Sequence, residues 1–153
     1  MKKDPYQEIV NFLKSKEAEY KLYKHKSVIT SEEAKEIKET DAVGLKSLLF
    51  KTEKGLILLV LPGDRRVSSK KVRSFLNVKD VRMVTPEEVL SVMGCQVGGC
   101  YPVGSICGLR TVVDESTLEA DRVVFNIGRR DRSAELSMDE FKRVVSFETA
   151  DIS

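Results

Sequence analysis

Two apolar runs separated by a short turn constrain the fold more than any other feature of the sequence. Residues 42–52 are AVGLKSLLFKT and residues 55–62 are GLILLVLP; the turn letters EKG (53–55) join them and include the first glycine of the second run. Two apolar runs around a short glycine-containing connection are typical of a β-hairpin. The longest apolar stretch, LILLVLP, is far too short to cross a bilayer. We therefore expect an antiparallel strand pair and no membrane span.

Helix signals occur at five further places. Asp4 is suited to the N-cap and Pro5 to the first position of a helix. The apolar residues of that helix form one stripe, which comprises Tyr6, Ile9, Val10 and Leu13. Capping boxes of the form Ser/Thr-x-x-Glu predict three more helix starts, at residues 30–33, 85–88 and 137–140. Residues 68–77 predict one more helix, whose inward residues would be Val72, Phe75 and Leu76.

Short strands complete the pattern. They are predicted at residues 20–25, 81–84, 110–114, 121–128 and 133–136. About five helices and about seven strands therefore alternate irregularly, and the hairpins imply antiparallel pairing. A chain of 153 residues suits one domain. We expect a single α+β domain over residues 1–153 rather than a doubly wound sheet.

A glycine-rich stretch stands out in a chain with 33% charged residues. Residues 94–108 are GCQVGGCYPVGSICG, with no charged residue among them. Glycine lets the backbone approach a ligand closely, and long connections are often functional. The alternative is a plain connection between a helix and a strand. The stretch matches neither the phosphate-binding P-loop nor the dinucleotide-binding glycine pattern.

The cysteines and the single histidine leave several interpretations open. Cys95, Cys100 and Cys107 could join His25 in a zinc site, although their spacings are not those of a zinc knuckle. A cysteine–histidine nucleophile is a second option. A disulfide is disfavoured by a reducing compartment. The favoured interpretation is that the cysteines are small apolar fillers. His25 is either a general base or a hydrogen-bonded residue at a strand end.

Lys46 interrupts the first apolar run. Because side chains alternate along a strand, Lys46 shares a face with Leu48 and Phe50. One interpretation is a lysine that extends to solvent at the strand end. The other is an ammonium group lining a cleft, where it would hold a phosphate, a carboxylate or a developing oxyanion.

Basic residues cluster locally although the net charge is only +2. The clusters are residues 21–26, 64–73 and 128–132. They are either solvated faces or parts of a surface for one anionic partner. The N-terminal residues lack the apolar region of a signal peptide, so we expect a cytoplasmic protein.

The ordered set of these segments resembles the YbaK/prolyl-tRNA-synthetase-associated domain family, from about His25 to the end. The segments are HKSVITSEEA (25–34), VGLKSLLFKT (43–52), LPGDRRVSSKKV (61–72), VRMVTPEEV (81–89), VGGCYPVG (97–104) and TVVDESTLEADRVVFNIGRRDRSAEL (111–136). The resemblance implies a compact α+β domain with a strongly curved, barrel-like mixed sheet surrounded by helices. It also implies hydrolysis of the ester between a wrong amino acid and tRNA, chiefly tRNA for proline.

The resemblance also assigns a site. It implies catalytic roles for Lys46 and for Gly98 in the family's G-x-x-x-P loop. The implied substrate-binding residues are His25, Gly99, Cys100, Tyr101, Pro102, Asn126 and Gly128. Ser133 stands where some bacterial relatives have Asp, which affects the amino-acid preference. The family mechanism needs no metal, no cofactor and no covalent intermediate. Loop backbone holds the ester, the lysine anchors the substrate, and a ribose hydroxyl helps to activate water.

The resulting expectation is a deacylase that acts in trans on tRNA for proline carrying a small amino acid, either cysteine or alanine. Its partner would be the acceptor end of aminoacyl-tRNA, with terminal bases on Tyr101, and prolyl-tRNA synthetase is a further candidate partner. We expect a monomer. The alternatives are a non-catalytic module that binds tRNA or a synthetase, or that regulates another protein, and a zinc protein built on the cysteines.

Overall fold

A computed structural model describes residues 4–25 and 40–153. The α-helices in these ranges are α1 (Pro5–Ser15), α2 (Ser69–Leu76), α3 (Pro86–Met93) and α4 (Met138–Val144). Two 3₁₀ helices lie at Gly104–Cys107 and Glu115–Glu119. The helix predicted from residues 30–33 falls outside the described residues. Within them, no helix is long and apolar enough to cross a membrane.

Eight strands form one mixed sheet. They are β1 (Lys21–Lys24), β2 (Val43–Thr52), β3 (Gly55–Pro62), β4 (Val81–Met83), β5 (Arg110–Asp114), β6 (Arg122–Asn126), β7 (Arg132–Ser137) and β8 (Glu148–Ala150). Their order is β1-β7-β6-β2-β3-β5-β8, and β4 also pairs with β2. The sheet is not closed into a barrel. The predicted α+β class is confirmed, whereas β8 and the two 3₁₀ helices were not predicted.

The predicted hairpin is confirmed. Strands β2 and β3 are antiparallel, and their register runs from Thr52 opposite Gly55 to Leu45 opposite Pro62. Strands β6 and β7 form a second antiparallel pair. The pairs β2–β6, β3–β5 and β5–β8 are parallel, which is why the sheet is mixed.

Helix caps agree with the sequence in two cases and partly in a third. The Asp4 side chain accepts a hydrogen bond from the Tyr6 amide, and Thr85 forms a reciprocal capping box with Glu88. Ser137 caps α4 by accepting from the Glu140 amide. The rest of the third capping box is wrong, because the Glu140 carboxylate accepts instead from the Glu19 amide and from Arg143.

Strand β2 changes its neighbour along one edge. Its first residues, Val43 and Gly44, pair with β6. Residues 50–52 pair with β4 on that edge, and the Leu49 carbonyl accepts from the Val84 amide. We call the intervening stretch, residues 45–48, the fork, because β6 and β4 leave β2 in different directions there.

The two faces of β2 contribute to two hydrophobic cores. Leu45 and Leu49 belong to the larger core, which also contains Cys95 and Cys100, as their interpretation as apolar fillers predicts. Phe50 belongs to the smaller core under α2. In α2, the predicted burial of Val72 and Leu76 is confirmed. The prediction for Phe75 is wrong, because that residue is 39% exposed and lies against the Arg110 guanidinium.

A buried carboxylate fastens the C-terminal residues to the sheet. Asp114, at the end of β5, is 1% exposed and accepts from the Ile152 amide at 2.9 Å, from the Ser153 hydroxyl at 3.1 Å and from Ser116. Burial raises the pKa of Asp114, but these hydrogen bonds outweigh it and hold the pKa below the ordinary value of 3.8. The ionised carboxylate therefore stabilises the folded state.

Replacing this carboxylate tests its contribution to stability. We expect Asp114→Asn to lower the free energy of unfolding at neutral pH by about 2 kcal/mol, because charge-assisted hydrogen bonds are lost. Since the folded pKa is depressed, the stabilisation is present above the unfolded pKa and disappears as the pH falls through the folded pKa. Urea denaturation across pH measures both effects. Asp151→Asn, which breaks the exposed pair with Lys71, should cost less than about 1 kcal/mol. Equal costs for the two variants would contradict this account.

Candidate functional site

Lys46 lies in the fork, two residues past the point where β6 leaves β2. Val124 of β6 pairs with Gly44 in parallel, and the pairing ends there. Residues alternate faces along each strand, and Phe125 and Leu45 take the face of the larger core. Asn126 and Lys46, each two residues beyond the last pair, therefore project from the face opposite that core.

The Lys46 ammonium is half-buried. Burial lowers the pKa of Lys46 below its ordinary value of 10.5, the nearby Arg66 lowers it further, and Asp64 raises it. Among residues 4–25 and 40–153, no hydrogen bond or ion pair engages this ammonium group. A partly desolvated cation of this kind gains free energy when an anionic group binds beside it.

The glycine loop, defined here as residues 94–103, is held by backbone contacts. The Gly99 carbonyl accepts from the Gly128 amide at 2.7 Å, and the Gly99 amide donates to the Gln96 carbonyl at 2.8 Å. A Cβ on Gly99 would lie 3.3 Å from the Arg129 backbone. The loop therefore packs directly on the turn between β6 and β7, and a side chain at residue 99 would crowd that contact.

The same turn packs on the first helix. Gly128 has φ +85°, and a Cβ there would lie 2.6 Å from the Tyr6 nitrogen and 2.7 Å from the Pro5 carbonyl carbon. The start of α1, the turn and the glycine loop thus form three consecutive layers of backbone.

Polar side chains connect the glycine loop to the sheet. Asn126 Nδ2 donates to the Gly98 carbonyl, and the Ser133 hydroxyl donates to Asn126 Oδ1 at 2.8 Å. His25 Nε2 lies 2.9 Å from Ser133 Oγ. The structure thus brings the predicted residues His25, Asn126 and Gly98 together. Ser133 joins them, although the sequence singled it out only as a departure from the family pattern.

Four amides of buried loop residues are available to a ligand. In the described part of the chain, the N–H groups of Cys95, Cys100, Tyr101 and Val103 have no hydrogen-bond partner. Buried amides normally have a partner. They are therefore candidates for donating to an oxygen of a bound molecule.

The expectation that Tyr101 supports terminal bases is wrong. Its side chain is 0% exposed, and its hydroxyl contacts Cys107 Sγ at 3.4 Å. Burial and this contact raise the pKa of Tyr101. The side chains of Cys100 and Pro102 are also buried, so a substrate contact by residues 100–102 would have to be made by their backbone.

The cysteines form neither of the alternative sites within the described residues. Cys100 Sγ lies 2.8 Å from Cys95 Sγ, and this contact together with burial raises the pKa of the Cys100 thiol. A raised pKa opposes formation of the nucleophilic thiolate. No group of three histidine, cysteine or acidic residues in these ranges is placed to hold a metal ion.

A buried carboxylate that the sequence did not reveal lies on the same polar face. Glu135 of β7 is 3% exposed and accepts from Tyr23, Thr40 and Arg122. Burial raises the pKa of Glu135, but the three hydrogen bonds lower it more, so the group stays ionised. Because it is ionised and fully engaged, it cannot serve as a general acid; it organises the sheet.

Two of the predicted basic clusters border this region. Arg129 and Arg130 lie in the turn after β6, where Arg130 Nε donates to the Val97 carbonyl of the glycine loop at 2.7 Å. They line a cleft of about 380 Å³ together with Gly99, Asp4 and Asp131. Arg66, from the 64–73 cluster, lowers the pKa of Lys46 through charge repulsion. Arginines beside a cleft suit a phosphate-bearing ligand.

Comparison with known proteins identifies relatives of this chain. Residues 25–144 match the aminoacyl-tRNA editing domain family. The proline–tRNA ligase of Geobacillus thermodenitrificans is 36% identical over 80 residues, which is 52% of this chain and 13% of the ligase. The Bacillus cereus ligase is 27% identical over 115 residues, 71% of this chain and 20% of the ligase. The chain thus spans a fifth or less of these ligases.

Two solved structures are similar over nearly the whole chain. A protein described as a proposed trans-editing enzyme for prolyl-tRNA synthetase superposes with a TM-score of 0.84 at 25% identity, covering 99% of this chain and 98% of that one. A scaffold protein used for epitope grafting superposes with a TM-score of 0.85 at 20% identity, covering 99% and 97%. The second similarity shows the fold alone.

Substitution of two glycines tests the packing of the turn between β6 and β7. Gly108 and Gly128 both have positive φ, but a Cβ on Gly108 meets nothing within 4 Å. We expect Gly108→Ala to cost about 1 kcal/mol of unfolding free energy, through backbone strain alone. Gly128→Ala should cost at least about 3 kcal/mol, because the Cβ also collides with α1. Urea denaturation measures both, and equal costs would show that α1 does not pack on Gly128.

Titration of Lys46 tests the charges around it. We expect Arg66→Ala to raise the pKa of Lys46 and Asp64→Asn to lower it, because each substitution removes one neighbouring charge. NMR of the lysine side-chain carbons as a function of pH measures the shifts, and Lys46→Arg assigns the signal. Shifts in the same direction in both variants would contradict the proposed surroundings of Lys46.

Proposed function

The chain belongs to the aminoacyl-tRNA editing domain family, and from that premise we propose that it is a deacylase acting in trans on mischarged tRNA for proline. It hydrolyses the ester that joins a small amino acid, cysteine or alanine, to the terminal ribose. The tRNA identity is supported by the similarity to proline–tRNA ligases. The trans action is supported by the likeness to the proposed trans-editing enzyme over the whole of that protein.

The observation that carries the proposal is the Lys46 ammonium, which has no hydrogen bond or ion pair within the described residues, on a sheet that also holds the glycine loop. Lys46 and Asn126 each follow the last paired residue of β2 and β6, and Asn126 donates to the Gly98 carbonyl of the loop. The ammonium attracts a phosphate or carbonyl oxygen of the aminoacylated end. The Cys100 and Tyr101 amides donate to the oxygen that gains negative charge at the ester carbon.

The reaction is direct attack by water. The water oxygen forms a bond to the ester carbon, the bond from that carbon to the ribose oxygen breaks, and a proton moves to the ribose oxygen. The neighbouring ribose hydroxyl of the substrate helps to activate the water. The buried Cys100 thiol, with its raised pKa, is poorly suited to be a nucleophile, so catalysis rests on positioning and electrostatics.

The preference for small amino acids follows from the loop. Gly98 and Gly99 present backbone instead of side chains, and Gly98 adopts φ +89°. Their position is fixed by hydrogen bonds to Asn126, Gln96 and Gly128, so the loop cannot widen easily. A rigid pocket excludes larger side chains more effectively than it discriminates between small ones.

A deacylation panel tests the proposal. Purified protein is given tRNA for proline charged with alanine, cysteine, serine, threonine or proline, and loss of the ester is followed against spontaneous hydrolysis. We expect hydrolysis of the alanyl or cysteinyl ester and none of the prolyl ester. Salt-sensitive binding of uncharged tRNA without hydrolysis of any ester would instead support a non-catalytic binding module.

Removal of the Lys46 amine tests its role in the same panel. We expect Lys46→Ala to lower kcat/KM about a hundredfold, the magnitude usual for a lost electrostatic contact to the transition state. The matched control is Lys51→Ala, which removes an exposed lysine from the same strand and should leave the rate unchanged. Circular dichroism and thermal unfolding check that both variants fold. A Lys46→Ala variant with full activity would remove the amine from the mechanism.

A further inference from the structure

A continuous series of hydrogen-bond contacts links four segments of the protein. It runs from His25, just after β1, to Ser133 on β7, to Asn126 on β6 and to the Gly98 carbonyl of the glycine loop. Ser133 and Asn126 are directly paired residues of the antiparallel strands, so their side chains meet by register. Ser133 is 0% exposed and Asn126 is 6% exposed.

The donor in each contact is determined by chemistry. The Gly98 carbonyl can only accept, so Asn126 must present its amide nitrogen to it. The Asn126 oxygen then faces Ser133, and since that oxygen can only accept, the single hydroxyl hydrogen of Ser133 is used there. Ser133 Oγ can therefore only accept from His25, and His25 Nε2 must carry a hydrogen.

We propose that Ser133 is a positioning residue of the editing site. Its hydroxyl accepts a hydrogen bond from His25 and donates one to Asn126, which in turn donates to the Gly98 carbonyl. The proposal rests on the proposed function. It gives Asn126 and His25 a role different from direct substrate contact: they hold the Gly98 peptide in one orientation. The next two peptide groups carry the Cys100 and Tyr101 amides that we propose donate to the substrate. The direction of these amides therefore depends on the orientation of the Gly98 peptide.

Loss of the Ser133 hydroxyl would weaken every hydrogen bond in this series. Without it, the buried Asn126 oxygen has no donor and His25 Nε2 has no acceptor at that position. The Asn126 amide can then rotate, and the Gly98 carbonyl loses its fixed partner. The Gly99 amide, which belongs to the same peptide group as the Gly98 carbonyl, still donates to Gln96, and the Gly99 carbonyl still accepts from Gly128, so the loop stays folded. The Gly98 peptide then has one of its two orienting hydrogen bonds left, and its orientation becomes less strictly fixed.

The tautomer of His25 tests the direction of the hydrogen bonds without substrate. The chain has one histidine, so the ¹⁵N NMR signals of its ring belong to His25. We expect hydrogen on Nε2 in the wild-type protein and a changed tautomer mixture in Ser133→Ala. A neutral ring with hydrogen on Nδ1 alone would overturn the proposal, because Ser133 would then have to donate to His25 and could not donate to Asn126.

Kinetics of Ser133 variants test its effect on the reaction. We expect Ser133→Ala to lower kcat about tenfold, the effect of one lost hydrogen bond, with KM within about twofold. Ser133→Thr keeps the hydroxyl and should retain most of kcat. Ser105→Ala, which removes an exposed serine just after the loop, is the control and should match the wild type. Thermal unfolding identifies any variant that fails to fold.

The outcomes separate this proposal from the one on which it rests. A wild-type protein that hydrolyses no ester overturns the deacylase function, whereas the tautomer still decides the hydrogen-bond direction. A folded Ser133→Ala variant with wild-type kcat, or with lower stability and unchanged kcat, overturns the positioning role. If Ser133→Thr does not fold, the tautomer and Ser133→Ala together remain decisive.

Discussion

The position of Lys46 depends on the way in which strand β2 changes its neighbour. A strand of ten residues would ordinarily be paired along both edges, and its backbone groups would be inaccessible. Here β6 accompanies only the first two residues and β4 only the last three. The fork between them opens the sheet without breaking the strand, because β3 pairs with β2 along the opposite edge. A lysine at this place has rigid support from β3 and no paired strand along the other edge.

The second element of the site is fixed by glycine at two close contacts. At Gly99 the contact is with the backbone of the turn after β6, and at Gly128 it is with the start of α1. The contact at Gly128 is too close for a Cβ, and the contact at Gly99 would be crowded by one, so glycine lets the loop, the turn and the helix approach one another closely. The carbonyl of Gly98 is consequently directed by backbone packing and by Asn126 together, while the neighbouring amides keep their hydrogens available.

The sequence predicted the elements of this fold better than their assembly. Apolar patterning and capping residues identified α1, α3 and the β2–β3 hairpin, because these depend on neighbours in the sequence. The parallel pairing of β2 with β6 joins strands about 80 residues apart, and no local pattern encodes it. Tyr101 illustrates the same difference. Its place in a glycine-rich stretch suggested exposure, but the loop folds back so that the ring enters the larger core.

Residue type alone identifies some of the site residues in the sequence but not others. A lysine within an apolar strand is conspicuous in any sequence, whereas Ser133 is an ordinary residue whose role arises from its pairing with Asn126. The resemblance to a family supplied Gly98 and Asn126, but a family pattern does not give the direction of a hydrogen bond. That direction follows only when the contacts of all four groups are known, since each acceptor fixes the next donor.

The groups on the Lys46 face of the sheet leave the charge of this cation available to a ligand. Asn126 donates to Gly98 and accepts from Ser133 without carrying charge, which an aspartate could not do, because it would only accept. Arg66 outweighs the opposite effect of Asp64 on the pKa of Lys46, and no carboxylate in the described residues pairs with the partly desolvated ammonium. An incoming anion then replaces lost water instead of competing with a protein carboxylate, and this difference favours substrate binding at the fork.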